Sequence, residues 1–159
     1  MDETLLSIDP GQATGWSLWT FADDHALQRL DYGVIPEGLD GFLRWAEARI
    51  GALRPSVTVF ELFRPNLGYN AHSKDYEAML IEGALKATAR ALALEVVYQG
   101  NDMKALCSDA DLKRLGLWVE NSEVEWTDAR DVNDSQRHAL AWAKANGHEA
   151  TIDAFWPAY

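Results

Sequence analysis

The chain has 159 residues, with 25 Asp and Glu against 14 Lys and Arg, a formal net charge of −11. That length suits one domain over 1–159 with a sizeable core, and 48% hydrophobic with 25% charged residues is the balance of a soluble globular protein. The acidity weighs against a nucleic-acid substrate, because proteins that bind one usually carry basic surfaces, and the single Cys107 excludes an intrachain disulfide and a cysteine zinc site.

Residues 5–9 form a short apolar run that ends in Asp9, breaks at Pro10-Gly11 and resumes over 16–21. That pattern predicts two strands joined by a turn. The break is Gly-rich and carries Thr14, so its backbone N–H groups can approach an anion closely. Asp23-Asp24 turns the chain into a third strand over 26–35. Leu39, Phe42, Leu43, Ala46, Ile50 and Leu53 recur at offsets of three and four, which predicts an amphipathic helix stopped by Arg54-Pro55. The β-branched run 57–61 is a strand and it too closes in a carboxylate, Glu61. Residues 62–74 read as a loop. Tyr76, Met79, Leu80, Gly83, Ala84, Ala87 and Ala91 place a helix with a small-residue face over 75–94.

A fifth strand follows over 95–99. Short helical pieces are expected over 103–106 and 110–115, with Gly116 as the stop. Residues 120–128 form an acidic loop with Trp126 as its anchor. The last element is a helix over 131–145 closed by Asn146-Gly147. Strands first, then strands alternating with helices, predict an α/β fold with a mixed sheet and helices on its faces. The acidic start at Met1-Asp2-Glu3 and the lack of a long uncharged run predict neither signal peptide nor membrane span.

The chemistry lies at strand ends. Strands joined through a helix run parallel, and ligands collect outside their carboxyl ends. Neighbouring strands lie about 4.8 Å apart, so Asp9 and Glu61 can share one cation. Asp131 and Asp134, three residues apart, lie on one face of the last helix. Four such carboxylates repel unless cations bridge them. With two metals roughly 4 Å apart, one activates a water and the other stabilises the leaving oxygen, which is phosphodiester hydrolysis. Each acid also has a plain alternative. Asp9 suits a turn, while Asp131 suits a helix N-cap with Asp134 on the dipole. Glu61, closing a buried strand, needs a partner on either reading.

The segments IDPGQATGW, VTVFELF and RDVNDSQRHALAWA resemble, in that order, the RuvC family of Holliday-junction resolvases. The likeness spans nearly the whole chain, including Asn70-Ala71-His72-Ser73 before the long helix. The RHAL stretch is similar to the bacteriophage-encoded versions. The resemblance implies an RNase H-like fold, a five-stranded mixed sheet with helices on both faces. It implies Asp9, Glu61, Asp131 and Asp134 as catalytic residues and metal ligands, where many relatives have His-x-x-Asp for the last pair. It further implies two Mg²⁺ or Mn²⁺ ions per site, and a homodimer that nicks branched DNA, above all four-way junctions. The location implied is the cytoplasm, the host's if the chain is phage-encoded. No membrane and no small-molecule cofactor is expected.

Among supporting residues, Lys104 follows the fifth strand and matches a lysine region of that family. Arg64, Lys74, Lys113 and Arg114 are further candidates for phosphate contact, with plain solvated charge as the alternative. Phe63 can stack on an unpaired base or pack under its own loop. His138, one turn past Asp134, is a candidate partner of the acids or a metal ligand, or a structural residue. Arg137 can pair with a carboxylate or a phosphate. The Ala84, Ala87 and Ala91 face is the dimer helix by resemblance, and otherwise packs on the sheet. Trp45 and Trp142 are core candidates. Three rivals stay open: an actin-like phosphate loop at Asp9-x-Gly11-x-x-Thr14, which needs a second domain; an RNA-processing nuclease of the same superfamily; and a non-catalytic branched-DNA-binding protein.

Overall fold

Alternation along the first strand puts Leu5 and Ser7 on one face and Leu6 and Ile8 on the other. All four are fully buried, so this strand is covered on both sides. The structure, a computed structural model, describes residues 2–63, 74–125 and 129–157, without the side chains of Lys74 and Asp75. Arg64, the stretch Asn70-Ala71-His72-Ser73 and Trp126 lie outside the described residues.

In chain order come β1 Glu3–Asp9, β2 Thr14–Ala22, β3 His25–Ile35, α1 Gly38–Leu53, β4 Val57–Glu61, α2 Lys74–Leu92, β5 Val96–Gln99, α3 Asp109–Arg114, α4 Arg130–Ala145 and α5 Glu149–Phe155. Two 3₁₀ turns, Asn101–Leu106 and Asn121–Glu123, flank α3. The five strands lie in the order β3-β2-β1-β4-β5. The first three make an antiparallel meander, and β4 and β5 join β1 in parallel.

Each face of the sheet has its own core. Leu6, Ile8, Trp16 and Phe60 meet Phe42, Ala46 and Ile50 of α1 and Ile81 and Leu85 of α2. On the other face Leu5, Trp19, Phe21 and Val59 meet Leu112 of α3 and Ala139, Leu140 and Ala143 of α4. The expected mixed sheet with helices on both faces is therefore present. Among the described residues the most deeply buried tryptophan is Trp19, at 0% exposure, while Trp45 and Trp142 are only partly buried against the two cores.

Helix α4 is unusual in what it buries. Asn133, Ser135, Gln136 and His138 are buried together with its alanines. Buried polar groups need partners, and most have them. Ser135 Oγ donates 2.7 Å to the Val132 carbonyl and lies 3.1 Å from Ser17 Oγ. Asn133 Nδ2 donates to the Val119 carbonyl at 2.9 Å, and its Oδ1 accepts from Val119 N at 3.0 Å. Arg29 donates to Gln136 Oε1 at 2.6 Å.

Beyond Gly147, where the sequence pattern predicts no further element, the structure has α5. Its N-cap is His148, whose Nδ1 accepts from Thr151 N at 3.3 Å. Histidine is outside the usual Ser, Thr, Asp and Asn cap set, which is why the start went unmarked.

Candidate active site

Parallel pairing of β1 with β4 sets Ile8 opposite Phe60. The next residues, Asp9 and Glu61, therefore leave the sheet side by side at its carboxyl edge. The parallel β4–β5 register sets Glu61 opposite Gln99. Helix α4 reaches this edge because the second residue of β2 is a glycine. A Cβ on Gly15 would overlap the backbone carbonyl of Asp131, so only glycine lets the first turn of α4 come this close. The helix starts at Arg130 with Ala129 as a cap that makes no side-chain bond, so Asp131 is inside the first turn and is not the N-cap. Asp9, Glu61, Asp131 and Asp134 all line one open cleft of about 740 Å³, together with Phe63, Asp102, Lys104 and Arg130.

The carboxyls of Asp9 and Glu61 interact directly with each other. Burial, then the adjacent Glu61, pushes the Asp9 carboxyl well above the usual carboxylate range. Burial also acts to raise Glu61, but bonding to His138 and Asp9 and the charge of Lys104 outweigh it and hold this group at about 2. Lys104 is the central cation. Its Nζ donates to Asp134 Oδ2 at 2.8 Å and lies 3.2 Å from Glu61 Oε2. Burial works against its charge, and the bond to Asp134 with the charges of Asp9 and Glu61 more than reverses that, so its pKa is raised. Lys104 thus sits inside the acid cluster, with a side chain 12% exposed, and is no free surface lysine.

Arg137 holds the other side of Asp134. It donates to Asp134 Oδ1 at 3.2 Å and to the carbonyls of Cys107 and Lys104 at 2.8 and 3.0 Å. His138 is fully buried, with Nε2 at 3.0 Å from Glu61 Oε2. Phe63 is on the cleft wall. Lys113 and Arg114 are on α3 and do not line the cleft. Lys113 covers the Trp118 ring at 4.4 Å, and Arg114 donates to the Phe155 carbonyl at 2.6 Å. Thr14, read as part of an anion loop, is buried in β2 and exchanges 3.3 Å hydrogen bonds with Gly11. Its hydroxyl closes the turn on itself. Gln99, Asp102 and Arg130, at or beside the cleft, are not expected from the sequence. Only Arg130 had a local signal, as the cation directly before the acid pair.

The donor set fits a hard divalent cation. Mg²⁺ takes one or two protein carboxylates and fills its remaining positions with water and phosphate oxygens, and the touching Asp9 and Glu61 supply that pair. Lys104 Nζ at 3.2 Å and His138 Nε2 at 3.0 Å already approach Glu61 Oε2, so a cation would meet this carboxyl on the side that faces Asp9. Among the described residues no group of three or more His, Cys, Asp or Glu closes tightly enough to hold a metal ion by itself. A cation here would thus depend on substrate and water for most of its shell.

No family model matches the chain, and no curated protein matches it by sequence. Solved structures do match. The chain is similar to Thermus thermophilus RuvC in complex with a Holliday junction substrate, with a TM-score of 0.66 at 16% identity over 93% of this chain and 97% of that one. Thermus thermophilus RuvC on its own gives 0.63 at 17% identity over 91% and 97%. The chain has the RuvC fold. The yeast mitochondrial Holliday junction resolvase Ydc2 shares it, with a TM-score of 0.65 at 12% identity over 91% of this chain and 79% of that one. In this RuvC-like, RNase H-like frame the four acids occupy the carboxyl edge of the sheet and the start of α4. Among the described residues, no helix is long and apolar enough to cross a membrane.

Proposed function

We propose that this chain is a metal-dependent endonuclease that hydrolyses phosphodiester bonds in branched DNA, four-way junctions foremost, as a single nuclease domain acting in the cytoplasm. The observation that carries the reading is the convergence of Asp9, Glu61, Asp131 and Asp134 in one open cleft. The fold shared with a RuvC in complex with a Holliday junction substrate supports the choice of substrate.

Asp9 and Glu61 would hold Mg²⁺ or Mn²⁺, with Asp131 and Asp134 across the cleft as ligands for a second ion. The bound metal supplies Lewis acidity to the phosphate and lowers the pKa of a coordinated water. The chain's own residues do the rest. Lys104 offsets the charge of Glu61 and Asp134 and keeps the acids assembled. Arg130, with its side chain 75% exposed on the cleft wall, offers its guanidinium to backbone phosphates. Phe63 stacks on a base splayed out at the branch. With a net charge of −11, the chain as a whole repels a polyanion, so cations at the cleft such as Arg130 and Lys104 matter more here than in a basic protein.

A homodimer belongs to the same reading. Helix α2 exposes Tyr76, Met79 and Leu80, at 60%, 47% and 51%, and Gly83, Ala87 and Ala91 continue that stripe in the open. Ala84 instead turns to the sheet-facing core. A second copy packed on this stripe would present two clefts to two strands.

The test compares cleavage of synthetic four-way junctions, Y-forks and linear duplex, with Mg²⁺ or with EDTA, by the native chain and Asp9→Asn. Junction cutting that needs the metal and is lost in Asp9→Asn is the expected result. A native chain that cuts nothing with either Mg²⁺ or Mn²⁺ rejects the reading.

A further inference from the structure

His138 is fully buried on a stretch of α4 whose next residues, Ala139, Leu140 and Ala141, are buried apolar side chains. A histidine among them loses hydration, so it must find polar partners to be tolerated. It finds two on neighbouring strands. Nδ1 lies 2.8 Å from Gln99 Oε1 and Nε2 lies 3.0 Å from Glu61 Oε2. The two partners are register neighbours at the ends of β4 and β5, which is why one ring can span both. Gln99 is itself buried, at 4% exposure.

His138 is not among the residues that line the cleft. Its Nε2 is buried and faces the Glu61 carboxylate, which does line the cleft. The Nε2–Oε2 approach is within hydrogen-bond reach.

We propose that Gln99 and His138 are positioning residues that hold Glu61 from behind for a divalent cation. With the Gln99 amide turned to donate its N–H to Nδ1, the imidazole carries its proton on Nε2 and donates it to Oε2, and the rest of the carboxyl is left facing Asp9. Partners of this kind behind a ligating group typically change metal affinity by about 10–100-fold. The proposal rests on the metal-site reading above and assigns it two further residues.

The test measures Mn²⁺ affinity by calorimetry and by electron paramagnetic resonance on the full chain, beside thermal melting in EDTA. The variants are His138→Leu, His138→Gln and Gln99→Leu. His138→Leu should weaken Mn²⁺ binding by about 10–100-fold, and Gln99→Leu should weaken it in the same direction by less. His138→Gln, which returns an amide N–H near the Nε2 position, should recover most of the affinity. Native affinity in His138→Leu overturns the proposal, and so does equal weakening in the Leu and Gln variants. If His138→Leu does not fold, native affinity in Gln99→Leu overturns it instead. Absence of Mn²⁺ binding by the native chain is a different outcome, because it rejects the metal site itself.

Discussion

The backbone of Asp131 rests directly on Gly15, with no room for a side chain between them. This contact seats the first turn of α4 against the β1–β2 turn and brings Asp131 into the cleft that holds Asp9. Gly15→Ala should push the helix start outward. Misplacement of catalytic groups by about 1 Å can cost 10²-fold in rate, and overpacking costs about 1–3 kcal/mol. Single-turnover cleavage together with urea denaturation reads both. Native cleavage in Gly15→Ala would remove Asp131 from the machinery.

The Asp9–Glu61 pair predicts an inverted pH dependence of stability in EDTA. The folded Asp9 carboxyl titrates well above its ordinary value of 3.8, so the folded state keeps a proton there that the unfolded chain releases. Its contribution is full below pH 3.8 and is lost as pH rises through the raised folded value. Glu61 acts in the opposite sense. Its contribution is present above its ordinary 4.5 and is lost as pH falls toward about 2. Denaturant melts across pH should therefore show stability falling on the rise from mildly acidic pH, a slope that Asp9→Asn flattens. Saturating Mg²⁺ should lift the neutral end, because a ligand that binds only the folded state stabilises it.

Lys104 separates two roles. If its ammonium holds the acids together, Lys104→Met leaves Glu61 and Asp134 facing each other without it. Removing one partner from a buried ion pair costs about 3–5 kcal/mol. The expected result is a large loss of stability in EDTA that Mg²⁺ recovers in part. Unchanged melting with weaker DNA binding would instead make Lys104 a phosphate contact.

The α2 stripe predicts assembly. Leu80→Glu places a charge on a side chain that is 51% exposed, so the monomer should keep its fold. Sedimentation should show a dimer for the native chain at micromolar concentration and a monomer for Leu80→Glu. A native monomer would remove the paired-cleft reading, and a dimeric Leu80→Glu would move the interface elsewhere.

Much of the frame was legible in the sequence by itself. The runs ending in Asp9 and Glu61 declared strands, since β-branched and apolar residues with turn residues after them leave few alternatives. The offsets in α1 and the spacing of Asp131 and Asp134 declared helix faces, because helical periodicity is a local property. The strand ends thus put Asp9 and Glu61 at one edge, while the place of Asp131 and Asp134 beside them was implied only by the resemblance to the RuvC family. Leu43 shows the limit, since it kept the apolar period of α1 yet is 46% exposed.

Only the tertiary structure decided which groups those acids meet. Lys104 is 30 residues from Asp134, and His138 is 39 from Gln99. Both pairings follow from how α4 seats on the sheet, which Gly15 and the Ser17–Ser135 contact determine. The same seating turned Thr14 inward to close its own turn. Periodicity along the chain states which face of an element is buried, but side-chain pairing across elements depends on where rigid elements come to rest. For this protein the sequence determined the acids, and the packing of α4 decided which cation and which imidazole stand behind them.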